Sequence, residues 1–242
     1  MRITYLDNSG FFLAMRDASL VFDCWRFPAP GEAAGFSNGY LDRAVLTGRP
    51  RAYFFVSHVH ADHFHPEIFR FADAAAETMF LLDKDIPVPE GVPHHFLSPG
   101  EEFSDGYARV RAFGSTDIGV SFLAEAEGRR IFHAGDLNFW HWREESTEAE
   151  VRKAREAFLA ELERMAPAMA GGLDAAFFPV DPRMGSEIEA GAAEFARRFA
   201  PRLLIPMHFG ENFAAMQAAC RTGLAGQRIW APTRRGDTVL LE

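Results

Sequence analysis

Four of the nine histidines of this chain fall in one short run, His58-Val59-His60-Ala61-Asp62-His63-Phe64-His65. Residues 52–56, Ala-Tyr-Phe-Phe-Val, lead into it through Ser57 and form a continuous apolar run of strand length, consistent with a strand buried on both faces. Pro66 follows, a residue suited to the first turn of a helix. The fold must therefore deliver a buried strand, a turn rich in imidazole and carboxylate, and a helix start, in that order. In an extended or turning segment His58 and His60 project to one side and can grip one metal ion. Asp62 and His63, on the following turn, can face a second. Imidazole with carboxylate suits Zn2+, while carboxylate-rich variants tolerate Mn2+ or Fe2+. The competing reading is a set of solvated loop histidines, or a cluster that caps the next helix. Two further strand ends argue against it. Residues 131–136, Ile-Phe-His-Ala-Gly-Asp, are an apolar run ending on Asp136, and residues 204–208, Leu-Ile-Pro-Met-His, end on His208. One Asp or His at a strand end is more often a turn residue than a ligand. Three strand ends that all offer such groups point to a site.

Around these ends the chain reads as strands with intervening helices. Short apolar runs separated by turn residues place strands at 2–6, 11–15 and 20–23, before a Pro- and Gly-rich loop over 24–50. Further strands are expected at 78–82, 107–113, 120–125 and 130–133, the last two joined by the turn Glu127-Gly128. Residues 147–165 are the clearest helix, opened by a Thr147–Glu150 capping box and carrying apolar residues at helical spacing. Strand 175–180, helix 187–199, strand 203–207, helix 211–221 and strands 228–231 and 238–241 complete the order. This grammar suggests two packed sheets with helices outside, a four-layer α/β/β/α arrangement. No linker divides the chain, so one domain over residues 1–242 is expected.

Composition narrows the function. With 48% hydrophobic and 24% charged residues the chain is in the ordinary globular range. Its 25 basic and 34 acidic residues give a net charge of −9, which disfavours nucleic acid as a partner and leaves a small molecule. Two cysteines cannot make a disulfide framework, and no run approaches the roughly 18 apolar residues of a membrane span. Together with a start that lacks the apolar core of a signal peptide, this predicts a cytoplasmic protein without a membrane partner.

The motif His58-x-His60-x-Asp62-His63, the pair Gly135-Asp136 and His208 resemble the metallo-β-lactamase superfamily of metal-dependent hydrolases. The resemblance spans most of the chain. Asn8-Ser9-Gly10-Phe11 is similar to the family's opening turn, and residues 174–208 are similar to the branch containing ascorbate-phosphate lactonase. The likeness implies an α/β/β/α sandwich with the site at one edge of its sheets. It implies His58 and His60 on a first metal, Asp62, His63 and His208 on a second, and Asp136 bridging. It also implies hydrolysis by water activated at one or two metal ions, Zn2+ being the expected cofactor. Asp62 would in addition pass a proton to the leaving group. The expected substrate is a small lactone, ester or phosphorylated metabolite. Phosphodiester hydrolysis, or a binding protein that has lost turnover, are the alternatives.

One departure matters. The family supplies a third histidine to the first metal from a loop before the bridging Asp, and here that loop reads Phe113-Gly114-Ser115-Thr116-Asp117-Ile118-Gly119. Asp117 is the best substitute, although it also reads as a turn aspartate. His133 and His141 are rivals, and His133, beside Asp136, fits better as a hydrogen-bonding neighbour of the metal ligands. Trp140, His141 and Trp142 form either a substrate wall or a packed surface loop. Arg183 either binds an anionic substrate group or makes a salt bridge.

Overall fold

The computed structural model describes all 242 residues, Met1–Glu242. They form two compact units, Met1–Leu97 with Pro232–Glu242 and Ser98–Ala231, each built on one sheet.

The first unit opens with β1 (Arg2–Asp7), β2 (Gly10–Ala14) and β3 (Ala18–Phe22), an antiparallel meander. Gly10 is required where this chain turns, because a Cβ there would lie 2.9 Å from the Asp7 carbonyl oxygen and 3.0 Å from that of Asp23. The segment after β3 is irregular as expected, apart from one 3-10 turn and α1 (Arg43–Leu46), capped by the Asp42 carboxylate. Then β4 (Arg51–Val56), β5 (Glu77–Asp83) and β6 (His94–Leu97) extend the sheet, with β3, β4, β5 and β6 all parallel to one another. The ends of β3, β4 and β5 therefore share one sheet edge, where open α/β sheets place their ligands. Phe54 of β4 stacks between Phe71 and Phe80, at ring distances of 5.8 and 4.7 Å. Ile68 and Phe71 reach this core from Pro66–Phe71, which is a 3-10 helix rather than an α-helix.

In the second unit β7 (Glu102–Ser104), β8 (Ala108–Phe113), β9 (Ser121–Ala126) and β10 (Arg129–His133) run antiparallel. Glu127 and Gly128 both have positive φ, 50° and 73°, the signature of the tight hairpin turn expected between β9 and β10. The helix α2 (Glu148–Met169) starts at the Thr147–Glu150 capping box. It is followed by β11 (Ala175–Pro179), α3 (Ala190–Phe199), β12 (Leu204–Met207) and α4 (Phe213–Gly223). The strands β10, β11 and β12 are parallel, so residues following them gather at one edge of this sheet. Phe195 of α3 lies between Phe132 and Phe178, at 4.9 and 4.8 Å. Finally β13 (Thr238–Leu240) pairs with β1 in the first unit. The sheet orders are β13-β1-β2-β3-β4-β5-β6 and β12-β11-β10-β9-β8-β7.

The mixed α/β class with two sheets is as the sequence predicts. Three details differ. The helix expected to end near residue 165 continues to Met169 with Pro167 inside it. Two short strands, β6 and β7, were not expected. Residues 228–231 contribute only a single bridge, Leu204 to Ile229.

Candidate metal centre

Within the first unit, β4 delivers the histidine run to the shared edge. His58 and His63 are buried, Asp62 is half-buried and His60 is exposed. The amides of His63 and Phe64 donate to the His60 carbonyl, so the run turns immediately after His60. His58 Nε2 and His60 Nδ1 are 3.0 Å apart, and His63 Nε2 lies 3.8 Å from Asp62 Oδ2. Two residues hold these groups in place. Asp23, directly after β3 and in the left-handed region at φ 39°, accepts the Ser57 amide at 2.8 Å and the Ser57 hydroxyl at 2.7 Å. Its Oδ2 also meets His63 Nδ1 at 2.7 Å, which leaves Nε2 as the ring nitrogen on the side of Asp62. Asn8, at φ 52° in the opening turn, donates its side-chain amide to Asp62 Oδ2 at 3.0 Å and its backbone N–H to the Tyr5 hydroxyl.

Within the second unit the same construction recurs. Asp136 follows β10 through Gly135, whose φ is 52°. His208 follows β12 with φ 63°, an uncommon backbone conformation for a residue with a side chain. His208 Nε2 lies 3.3 Å from Asp136 Oδ1, and both side chains are buried. Asp181, after β11, meets His208 Nδ1 with Oδ2 at 3.1 Å. Burial works against ionisation of Asp181, but the hydrogen bonds from His208 and Arg183 outweigh it and hold its pKa below the usual carboxylate value.

The donor set fits a divalent metal. Ligands on a tetrahedral ion with bonds of about 2.0–2.1 Å are separated by roughly 3.3–3.4 Å. The three donor pairs, at 3.0, 3.8 and 3.3 Å, bracket that value. His58, His60, Asp62 and His63 in one unit and Asp136 and His208 in the other are thus candidate ligands.

The remaining candidates are placed differently. Asp117 is exposed in the β8–β9 turn, where its amide is capped by the Ser115 hydroxyl, and it lies outside the candidate ligand clusters. The turn reading of this residue is the one that matches. His133 is buried at the end of β10, with Nδ1 accepting the Gly135 amide and its ring against Phe177. His141 is fully buried, with Nε2 facing the Glu187 carbonyl and Nδ1 taking the Arg143 amide. It fastens the surrounding loop and presents no face to a substrate, contrary to its expected role there. Arg183 forms a two-pronged pair with Asp181, its Nε at 2.9 Å and its Nη2 at 2.6 Å from Oδ2, so the salt-bridge alternative is the one realised. Trp140 packs edge-on against His208 at 5.5 Å, stacks on Trp142 at 6.0 Å, and donates its indole N–H to the Asp136 carbonyl. Cys24 is buried, which pushes its thiol up to about 12, and it lies outside the candidate ligand clusters.

Sequence reasoning passed over Asp23, Asn8 and Asp181. The signal for the two aspartates was the one used for Asp136, a carboxylate directly after an apolar strand. Asn8 stood in the turn already noted as family-like.

Comparison with known proteins places the chain in a family. The model of the beta-lactamase superfamily domain matches residues 38–209. The chain is 25% identical to a UPF0173 metal-dependent hydrolase from Opitutus terrae, with 99% of each covered. Its fold is similar to that of Igni18, a metallo hydrolase from Ignicoccus hospitalis, with a TM-score of 0.65, 14% identity, and 98% of this chain and 97% of that one covered. It is also similar to YhfI from Bacillus subtilis, a metallo-beta-lactamase fold protein, with a TM-score of 0.60, 13% identity and 98% of each chain covered. From the histidine run after β4, the strand-end Asp136 and His208, and this match over most of its length, the chain belongs to the metallo-β-lactamase superfamily.

Proposed function

We propose that the chain is a metal-dependent hydrolase that uses Zn2+ and acts on a small lactone or ester. The ligands in this reading are His58, His60, Asp62, His63, Asp136 and His208. The observation that carries it is the set of three donor pairs at metal-ligand separations, all just after buried strands, in a chain of this superfamily. The name of the Opitutus terrae relative, a metal-dependent hydrolase, supports it. When bound, the metal supplies Lewis acidity toward the scissile group and lowers the pKa of water at the site.

The protein's own groups do the rest. Asp62 is only half-buried and is oriented by Asn8, which suits it to pass a proton to the leaving oxygen. The stacked Trp140 and Trp142 beside His208 supply an apolar wall for a compact substrate. The charge of Arg183 is matched by Asp181, which favours an uncharged acyl substrate over a phosphorylated one. A net charge of −9 works against tracking a nucleic-acid backbone. The two cysteines are buried and unbridged, which supports a reducing, cytoplasmic setting.

A panel of lactones, carboxylic esters, phosphomonoesters and phosphodiesters, assayed with zinc-loaded protein, tests this reading. Hydrolysis of lactones or esters above the phosphorus compounds is the expected result. Efficient cleavage of RNA or DNA with no activity on any lactone or ester would overturn the substrate class.

A further inference from the structure

The His208 ring is gripped on both sides. Its Nε2 faces Asp136 Oδ1 at 3.3 Å, and its Nδ1 faces two groups at once, Asp181 Oδ2 at 3.1 Å and Arg183 Nη2 at 3.3 Å. These two Nδ1 contacts exclude each other as hydrogen bonds. A carboxylate needs a proton on Nδ1, whereas a guanidinium, which has no lone pair to offer, needs Nδ1 bare. The guanidinium is already committed, because Nε and Nη2 of Arg183 both donate to the Asp181 carboxylate, at distances down to 2.6 Å. Asp181 is itself fixed from below: its Oδ1 takes the Arg183 backbone N–H at 2.9 Å, and the side chain is 1% exposed. A buried carboxylate with two donors on one residue is a rigid acceptor aimed at one imidazole nitrogen. The ring it aims at sits on strained backbone, at φ 63°, so its orientation is not one the chain would adopt by default.

We infer that Asp181, locked by Arg183, is a positioning residue that holds the proton of His208 on Nδ1 and so presents Nε2 as the metal-binding nitrogen. This rests on His208 being a metal ligand. Carboxylates in such a position fix the tautomer of the ring and raise its basicity as a ligand. The salt bridge of Arg183 then has a purpose other than substrate binding: it keeps Asp181 immobile. Asp181 touches neither substrate nor metal in this account.

The test is Zn2+ affinity together with imidazole NMR on the full-length protein. In the zinc-loaded wild type, His208, identified by the signals lost in His208→Gln, is expected to carry a slowly exchanging, downfield Nδ1 proton. Asp181→Ala should abolish that resonance and weaken zinc binding about 10–100-fold. Asp181→Asn keeps an acceptor oxygen toward Nδ1, so it should retain the resonance and bind zinc more tightly than the alanine variant. This rescue would not be seen if Asp181 served packing alone. A wild-type proton on Nε2, or an Asp181→Ala variant with wild-type zinc affinity, overturns the proposal while leaving His208 as a ligand. Full zinc affinity in His208→Gln instead overturns the ligand assignment beneath it.

Discussion

Asp23 shows how much one side chain at a strand end can govern. It takes the Ser57 amide and hydroxyl and faces Nδ1 of His63, and all three residues are fully buried. Asp23→Ala removes the acceptor of the Ser57 amide and the carboxylate facing His63, while the Ser57 hydroxyl keeps His58 Nδ1 at 3.0 Å, a loss of about 1–3 kcal/mol for each buried group that loses its partner. The expected total, on the order of 3 kcal/mol, corresponds to a fall in Tm of roughly 6–12 °C for a chain of this size. Thermal unfolding measures it, and an unchanged Tm would show that water replaces the carboxylate. Asn8 poses a cleaner question, because its positive φ is one that glycine adopts without strain. Asn8→Gly removes the amide that holds Asp62 while keeping the turn. It should lower kcat about tenfold or more, in line with loss of a group that orients a proposed metal ligand, with Tm moving little. Equal kcat in the two proteins would remove Asn8 from the account.

Among the elements, α3 bears most directly on the second unit's candidate ligands. A Cβ on Gly191 would lie 1.9 Å from Asn138 Oδ1 and 2.9 Å from the Phe139 backbone nitrogen, in the segment just after Asp136. Gly191→Ala, ordinarily a stabilising change inside a helix, should therefore destabilise by about 1–3 kcal/mol, as overpacking does. Denaturant titration reads this directly; a gain in stability would mean the 138–139 segment yields freely. These same elements show what sequence can reveal. The buried β4, the capping box of α2 and the Glu127-Gly128 hairpin were legible because local chemistry specifies each one. The short strands β6 and β7 were not. Exposed His94, His95 and Phe96 carry no alternation, and both strands form only because a sheet edge was available. Nor was the last turn of α2 legible, since the helix runs past 165 to Met169 although Pro167 removes one of its backbone donors. The candidate ligand residues stand out by their spacing after apolar runs, whereas the contacts of Asp23 and Asp181 depend on which strands lie side by side, a matter of topology. Asp117 misled because a turn and a ligand loop ask for the same residue.

For the whole molecule, no helix is long and apolar enough to cross a membrane. Anchored carboxylates should contribute to its stability in acid. Asp174 accepts the Arg130 backbone N–H and the side chains of Arg129 and Arg202, joining the starts of β10, β11 and β12. Burial disfavours its charge, yet these partners prevail and its pKa is held below the usual value, as is that of Asp181. A lowered pKa means the unfolded chain binds protons first. The stability from these groups is therefore complete above about pH 4, the unfolded aspartate value, and is lost as pH falls through the lower folded values. Unfolding midpoints between pH 7 and 5 should be insensitive to these two groups, and Asp174→Asn should flatten the decline below pH 4. An unaltered acid decline in that variant would show that other carboxylates govern it. The central proposal, that Asp136 is a ligand of a catalytic metal, is tested most directly by elemental analysis of protein purified without added metal. The wild type and Asp117→Ala should each carry at least one divalent ion per chain, and Asp136→Ala should carry little or none. Metal content in Asp136→Ala equal to that of the wild type, with the variant folded, would contradict it.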